Sequence, residues 1–415
     1  MSGLSRSMTF SCRLTGRVVY SISEFSRLEG IRWSVSQSPD LYLNRANVNF
    51  SPLSTGGVIF LKLMILSLIS CFSVDFFELL NVLSLDIVES NVQSLLGKLS
   101  QLKKEIQKVI VGQDAIVEEM LIALLAGGHC LLEGVPGLAK TLMVRTLSQA
   151  LDLSFRRIQF TPDLMPTDVL GTEVLEEDHT TGRRFFKFNK GPLFANIVLA
   201  DEINRTPPKT QSALLEAMQE FEITYGGQTH KLDRPFFILA TQNPIEQAGT
   251  YPLPEAQLDR FLLYIKIGYP TAEEEATILG HTTGTRRPTV HPVVNGPEIQ
   301  QLQKLVREVS ISEDMIKYVA DIIRATRPDT STQAYVREWV RWGAGPRAGQ
   351  ALILTAKARA LFRQRYAVIP EDIYAMAYPV LRHRILMNFK AEAEGITSDQ
   401  ATAVLLKAIE RPATL

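Results

Sequence analysis

Apolar residues fall at Val92, Leu95, Leu96, Leu99, Leu102, Ile106 and Val109, three or four positions apart. That spacing places them on one stripe of an α-helix over residues 92–109. A short apolar stretch ends at Gly112, and a second helix is expected over 114–126, with Glu118 and Glu119 on its polar side. His129–Glu133 reads as a buried strand. Ile197–Ala200 and Phe236–Ala240 are short apolar runs of the kind that form strands covered on both faces. Residues 173–188 and 221–232 read as hairpins, turning at His179–Gly182 and at Gly226–Gly227, the second a favoured two-residue turn. From about Thr271 helical spacing prevails. Helices are expected at 313–325 and 348–364, with another starting at Pro370, where Glu371 and Asp372 suit the first turn. Tyr335, Trp339 and Trp342 are expected to pack inside this part. The pattern predicts an α/β core over 85–270, a parallel sheet flanked by helices, followed by a small all-helical domain over 271–415.

Residues 1–84 stand apart. Residues 1–56 are rich in Ser and Arg, poor in acids, and carry no sustained pattern, so no fold is assigned to them. The apolar run Val58–Phe77 is broken by Lys62 and Asp75. It is short for a membrane span and too far along the chain for an ordinary signal peptide. The reading adopted is an N-terminal extension or an early start, with Met64 as an internal start. Membrane contact through residues 58–77 is the alternative.

Composition narrows the classes. Of 415 residues, 46% are hydrophobic and 21% charged, as in a globular protein. Lys+Arg and Asp+Glu each number 44, so the net charge is +0 and a dedicated nucleic-acid binder is disfavoured. Cys12, Cys71 and Cys130 show no pairing or CxxC pattern, which favours a reducing, cytoplasmic setting. The six histidines lack metal-ligand spacing.

Against that background five short segments carry chemistry. Gly134, Val135, Pro136, Gly137, Leu138, Ala139, Lys140 and Thr141 follow a strand and open a helix, the setting of a phosphate-binding loop. Glycine lets a phosphate approach backbone N–H groups, and the helix N-terminus adds positive potential. Lys140 would reach the terminal phosphates of ATP and Thr141 would hold Mg²⁺. Ala139 departs from the general motif, which has glycine there. Asp201 and Glu202 end the second strand, where ligands gather in α/β sheets. Asp201 can coordinate Mg²⁺ through water, and Glu202 can polarise the attacking water. Asn243 ends the third strand and can bond the γ-phosphate or that water; an Asx turn is the bland alternative. Arg260 follows in Leu253–Phe261, and phosphoryl transfer gains from an arginine supplied across a subunit interface. Arg347, in Gly345–Gln350, stands at a helix start, where the dipole disfavours a cation unless it serves an anion.

The order of these segments resembles AAA+ ATPases. The strings Glu133–Thr141, Ala200–Arg205, Ala240–Pro244, Glu255–Phe261 and Gly345–Gln350 resemble the MoxR family specifically, in which Ala139 is usual. The resemblance spans roughly residues 85–415. It implies a P-loop AAA+ core with a helical lid over the nucleotide. Residues 134–141 would be the Walker A loop, Asp201 and Glu202 Walker B, Asn243 sensor 1, Arg260 the arginine finger and Arg347 sensor 2. Val111, Gly112 and Gln113 would lie near adenine, and Arg205 would face the subunit interface. The resemblance further implies a homo-hexameric ring that remodels or matures a client together with a separate von Willebrand factor A domain protein. The hairpins would line or border its pore, with a solvated edge ribbon as the alternative. The rivals are a nucleotide-switched scaffold with little turnover, a nucleic-acid motor and a metal-chelatase motor subunit.

Overall fold

The computed structural model describes residues 76–412 except 178, 181, 183, 245–248 and 285–287, with side chains described from residue 92. Cys12, Cys71, Met64 and the side chains of the 58–77 run lie outside the described residues. The chain divides into units 1–81 and 82–415, and the second holds all the described strands. Among the described residues no helix is long and apolar enough to cross a membrane.

Helix α1 (Phe76–Gln107) carries the expected stripe but starts well before it. It leads to α2 (Asp114–Leu125), β1 (Cys130–Glu133), α3 (Lys140–Ala150), β2 (Phe155–Gln159) and α4 (Pro166–Leu170). The first hairpin is β3 (Gly171–Glu177) with β4 (Arg184–Lys190). Strand β5 (Ile197–Asp201) and α5 (Pro208–Glu220) precede the second hairpin, β6 (Glu222–Tyr225) with β7 (Gln228–Lys231). Then come β8 (Phe237–Gln242), α6 (Glu255–Leu258) and β9 (Leu263–Lys266). Helices α7 (Ala272–Thr283), α8 (Gly296–Glu308), α9 (Glu313–Ala325) and α10 (Ala334–Trp339) follow, then strand β10 (Val340–Trp342) and α11 (Pro346–Phe362). Helix α12 (Pro370–Leu381), strand β11 (Leu386–Met387) and helices α13 (Phe389–Ala393) and α14 (Ser398–Ala408) complete the chain.

The central sheet has five strands in the order β2-β5-β8-β1-β9. Every pairing in it is parallel. Alternation along the strands divides the core between its faces. Cys130, Leu132, Ile197, Leu199, Phe237 and Leu239 pack with α1–α3 and the helical region. Leu131, Val198, Ala200, Ile238 and Ala240 pack on the other face with Leu214, Leu215 and Met218 of α5. Strands β2 and β9 are not among the expected elements, although β9 lies in the apolar run Phe261–Ile267. The side chains of Arg156 and Arg157 make β2 a polar edge, exposed at both residues.

Several helix starts have a local cause. The hydroxyl of Thr271 and the Asn295 side chain accept from the amides of Glu274 and Glu298, whose carboxylates bond back. Each such reciprocal cap satisfies two amides that the helix cannot. Helix α2 departs from its expected polar side: Glu118 is buried, and its carboxylate accepts from Arg363 at 2.7 and 3.0 Å and from Lys103 at 3.3 Å. The C-terminal region is helical apart from the two-stranded β10–β11 ribbon. Trp342 lies in that ribbon and is 69% exposed, so it does not pack inside as expected. Trp339 carries Lys390 over its ring at 4.3 Å.

The hairpins lean on each other. Phe188 stacks on His230, ring centroids 4.3 Å apart, and meets Tyr225 at 5.6 Å. Gly226 and Gly227 have φ of 57° and 78°, the left-handed turn expected of a glycine pair.

Candidate active site

Strand β1 delivers the chain to the phosphate-binding loop, and α3 begins at Lys140. Gly137 has φ 89° and Ala139 has φ 55°. Left-handed residues in such a loop turn successive N–H groups inward and make a nest for an anion at the helix start. No heavy atom outside the loop lies within 4 Å of where a Gly137 Cβ would stand, so the cradle is open. Lys140 Nζ donates to the Gly134 carbonyl at 2.5 Å. Burial pushes the Lys140 pKa down, while Asp201, Glu202 and Glu133 oppose that push. Lysine and acidic pair therefore share one electrostatic environment.

The parallel order explains why. Strand β8 runs beside β1 and β5 beside β8, all parallel, so their carboxyl ends open at the same edge. Asp201 Oδ2 accepts from Arg157 Nε at 3.0 Å and Nη2 at 2.6 Å, and its Oδ1 accepts from Thr241 Oγ1 at 2.6 Å. Glu202 adopts φ 57°, ψ 49°. Its amide donates to Thr241 Oγ1 at 2.8 Å, and its Oε2 accepts from Gln159 Nε2 at 2.8 Å and Arg205 Nη1 at 3.0 Å. Asn243 leaves β8 at this edge and is 7% exposed. Gln113 Nε2 donates to the Gly268 carbonyl at 3.0 Å. A Cβ on Gly134 would lie 3.0 Å from Ile267, so residues 111–113 and the phosphate loop flank the chain leaving β9. The Asp201 carboxylate and the Thr141 hydroxyl offer oxygen donors alone, which suits Mg²⁺.

Arg260 and Arg347 stand elsewhere. Both line a cavity of about 290 Å³ with Asp259, Gln350 and Arg384, and no residue of 134–141 lines it. Arg260 Nη1 donates to the Leu215 carbonyl at 3.0 Å. Arg347 Nη1 lies 3.9 Å from Asp259 Oδ2. Buried Arg384 donates to Asp259 Oδ1 at 2.7 Å and to the carbonyls of Phe261 and Leu262 at 2.8 and 3.1 Å. It thus ties the turn that carries Arg260 to the C-terminal region. Arg157, Gln159 and Thr241 are the site residues that sequence reasoning missed. Two of them sit on the unexpected strand β2, and Thr241 reads in sequence as part of an apolar strand.

A nucleotide-type phosphate loop after β1, an acidic pair at the end of β5 two places along the same parallel sheet and a helical C-terminal region define an AAA+ ATPase fold. Residues 129–263 match the ATPase family associated with various cellular activities (AAA), and residues 332–403 match the AAA lid domain. The chain is 44% identical over 309 residues to Chaperone MoxR1 of Mycobacterium tuberculosis, covering 74% of this chain and 81% of that protein. It is 29% identical to Protein MoxR of Paracoccus denitrificans, covering 72% of this chain and 92% of that one. A crystal structure of a Cytophaga hutchinsonii protein superposes with TM-score 0.74 at 43% identity, covering 80% of this chain and 99% of the other. The chain belongs to the MoxR family of AAA+ ATPases.

Proposed function

We propose that the protein hydrolyses ATP in a Mg²⁺-dependent reaction at interfaces between copies of itself in a ring, a hexamer by family resemblance. One observation carries this reading. Lys140, Asp201, Glu202 and Asn243 meet at one sheet edge, while Arg260 and Arg347 share a cavity that no phosphate-loop residue lines. An acidic site without Arg260 and Arg347, and a cavity holding that pair without a phosphate loop, suit adjoining subunits.

In this reading the backbone N–H groups of residues 134–141, Pro136 excepted, hold the phosphates, and Lys140 leaves the Gly134 carbonyl to meet them. Bound Mg²⁺, held through Thr141 and Asp201, would offset phosphate charge. Glu202 takes the proton of the attacking water as its oxygen bonds the γ-phosphorus and the bond to ADP breaks. Asn243 orients that water or the γ-phosphate. Arg260 and Arg347 of the adjoining copy offset charge developing on the transferred group.

Hydrolysis would drive remodelling or maturation of a client protein, the class of work that the name of the mycobacterial relative denotes. A von Willebrand factor A domain protein is the partner expected by resemblance. The hairpins, with Phe185 and Phe186 46% and 70% exposed on opposite faces of the first, suit contact with that client. The second reading, a nucleotide switch with little basal turnover, is favoured by the two bonds that Glu202 Oε2 already accepts. Steady-state Mg²⁺-ATPase activity over a range of protein concentrations, beside Glu202→Gln, separates the two. Activity rising more than linearly and lost in the variant supports shared sites. ATP binding without turnover at any concentration overturns the autonomous ATPase.

A further inference from the structure

We infer that Thr241 is a positioning residue for this hydrolysis: its one hydroxyl sets the Asp201 carboxylate and the Glu202 backbone together. The inference rests on the ATPase reading above. Thr241 is 1% exposed and lies on β8, which runs beside β5 with Ala240 opposite Ala200. The next step along both strands brings Thr241 beside Asp201.

The direction of both bonds follows from chemistry. The Glu202 amide can only donate, so Thr241 Oγ1 accepts at 2.8 Å. The ionised Asp201 can only accept, so the same hydroxyl donates its proton to Oδ1 at 2.6 Å. The hydroxyl is therefore fixed in orientation, and it joins the candidate Mg²⁺ ligand to the candidate general base. Arg157 holds the other oxygen of Asp201, so the carboxylate plane is set from both sides. Glu202 sits in the left-handed region, which a non-glycine residue leaves unless something retains it. The bond from its amide to Thr241 is one such restraint.

A buried threonine in a strand has an ordinary explanation too: β-branched residues suit strands, and its methyl fills space. Valine matches that shape without the hydroxyl, which separates the two accounts. Valine leaves the Glu202 amide and one Asp201 oxygen short of a partner at the sheet edge.

The test compares wild type, Thr241→Val and Thr241→Ser by thermal melting, ATP affinity, kcat and the Mg²⁺ concentration giving half-maximal rate. Thr241→Val should melt near wild type and bind ATP within about threefold, yet lose about tenfold or more in kcat and need several-fold more Mg²⁺. Thr241→Ser, which keeps the hydroxyl, should recover most of both. Wild-type-like kcat and Mg²⁺ dependence in Thr241→Val, beside an active wild type, overturns the inference. So does a serine variant as impaired as the valine one, since the methyl then carries the effect. Should valine not fold, Thr241→Ala against Thr241→Ser gives the same comparison. A wild type that binds ATP and never turns over removes the ATPase reading itself, and the inference falls with it.

Discussion

Gln159, at the end of β2, donates a 2.8 Å hydrogen bond to the carboxylate of Glu202, which lies far along the chain just past β5. Arg205 donates to the same oxygen. A general base must accept from water, and here two protein donors already occupy that oxygen. Removing the neutral donor frees a lone pair while Thr241 still holds the Glu202 backbone. Gln159→Leu is therefore expected to raise basal kcat by roughly two- to tenfold with little change in KM, the yield of one partly solvated charge-assisted bond. A fall in kcat of tenfold or more would mean that Gln159 works with the carboxylate during turnover.

The C-terminal region depends on Asp372. This fully buried carboxylate accepts from Arg359 at 2.6 Å, from two nitrogens of Arg365 at 2.7 Å each, and from the Ile369 amide at 3.1 Å. Deleting it leaves two guanidinium groups and the first turn of α12 without their acceptor. Asp372→Ala should cost about 3–5 kcal/mol in denaturant unfolding. A loss below about 1 kcal/mol would show that water replaces the carboxylate freely.

Glu119 makes stability depend on pH. Burial raises its pKa from the ordinary 4.5 to about 7, against the attraction of Arg382 and with help from Glu118 and Asp399. Between those values the folded chain keeps a proton that the unfolded chain has lost. Stability from this group is thus fully present below pH 4.5 and declines as pH rises to about 7. Glu119→Gln should exceed wild type by about 2–3 kcal/mol at pH 8 and match it near pH 4. His129, whose pKa burial lowers from 6.5 to about 4, has the opposite sign: its stability is present above 6.5 and lost as pH falls. It is common to both proteins and drops out of the difference. Equal pH profiles for the two would contradict the raised Glu119 pKa.

Much of this molecule was legible in the residues. The phosphate loop announces itself because its glycines, lysine and threonine fall at fixed spacing within the one segment 134–141. Ile197–Asp201 and Phe237–Gln242 were legible because strands buried on both faces read as unbroken apolar runs. The Gly226–Gly227 turn was legible because few residues adopt its backbone. Strand β2 was not, since Phe155-Arg156-Arg157-Ile158-Gln159 has the polarity of a loop until Asp201 is seen to accept Arg157. Thr241 and Gln159 act through neighbours in the sheet order, which local pattern does not carry. The association of Arg347 with Asp259 and Arg260 likewise joins segments far apart in sequence.

The glycine pair at the base of the first hairpin gives a sharper local test. A Cβ on Gly171, at φ 112°, would overlap the Asn189 carbonyl, and one on Gly191 would stand 2.5 Å from the Val169 carbonyl. Backbone atoms cannot rotate away as side chains do. Gly171→Ala should cost about 1–3 kcal/mol and raise proteolysis within 171–190, leaving nucleotide affinity unchanged. Wild-type protease resistance would show that the hairpin base tolerates a Cβ.

The central claim is that Arg260 and Arg347 serve the nucleotide of an adjoining copy. The direct measurement is ATPase activity on mixing Lys140→Ala with an Arg260→Ala, Arg347→Ala double variant. Each alone should be inactive, the first for want of a phosphate-binding lysine and the second for want of arginines. Mixed rings contain interfaces where an intact phosphate loop meets an intact arginine pair, so the mixture should recover a substantial fraction of wild-type turnover. A mixture that exchanges subunits yet is no more active than its separate parts would contradict the shared site.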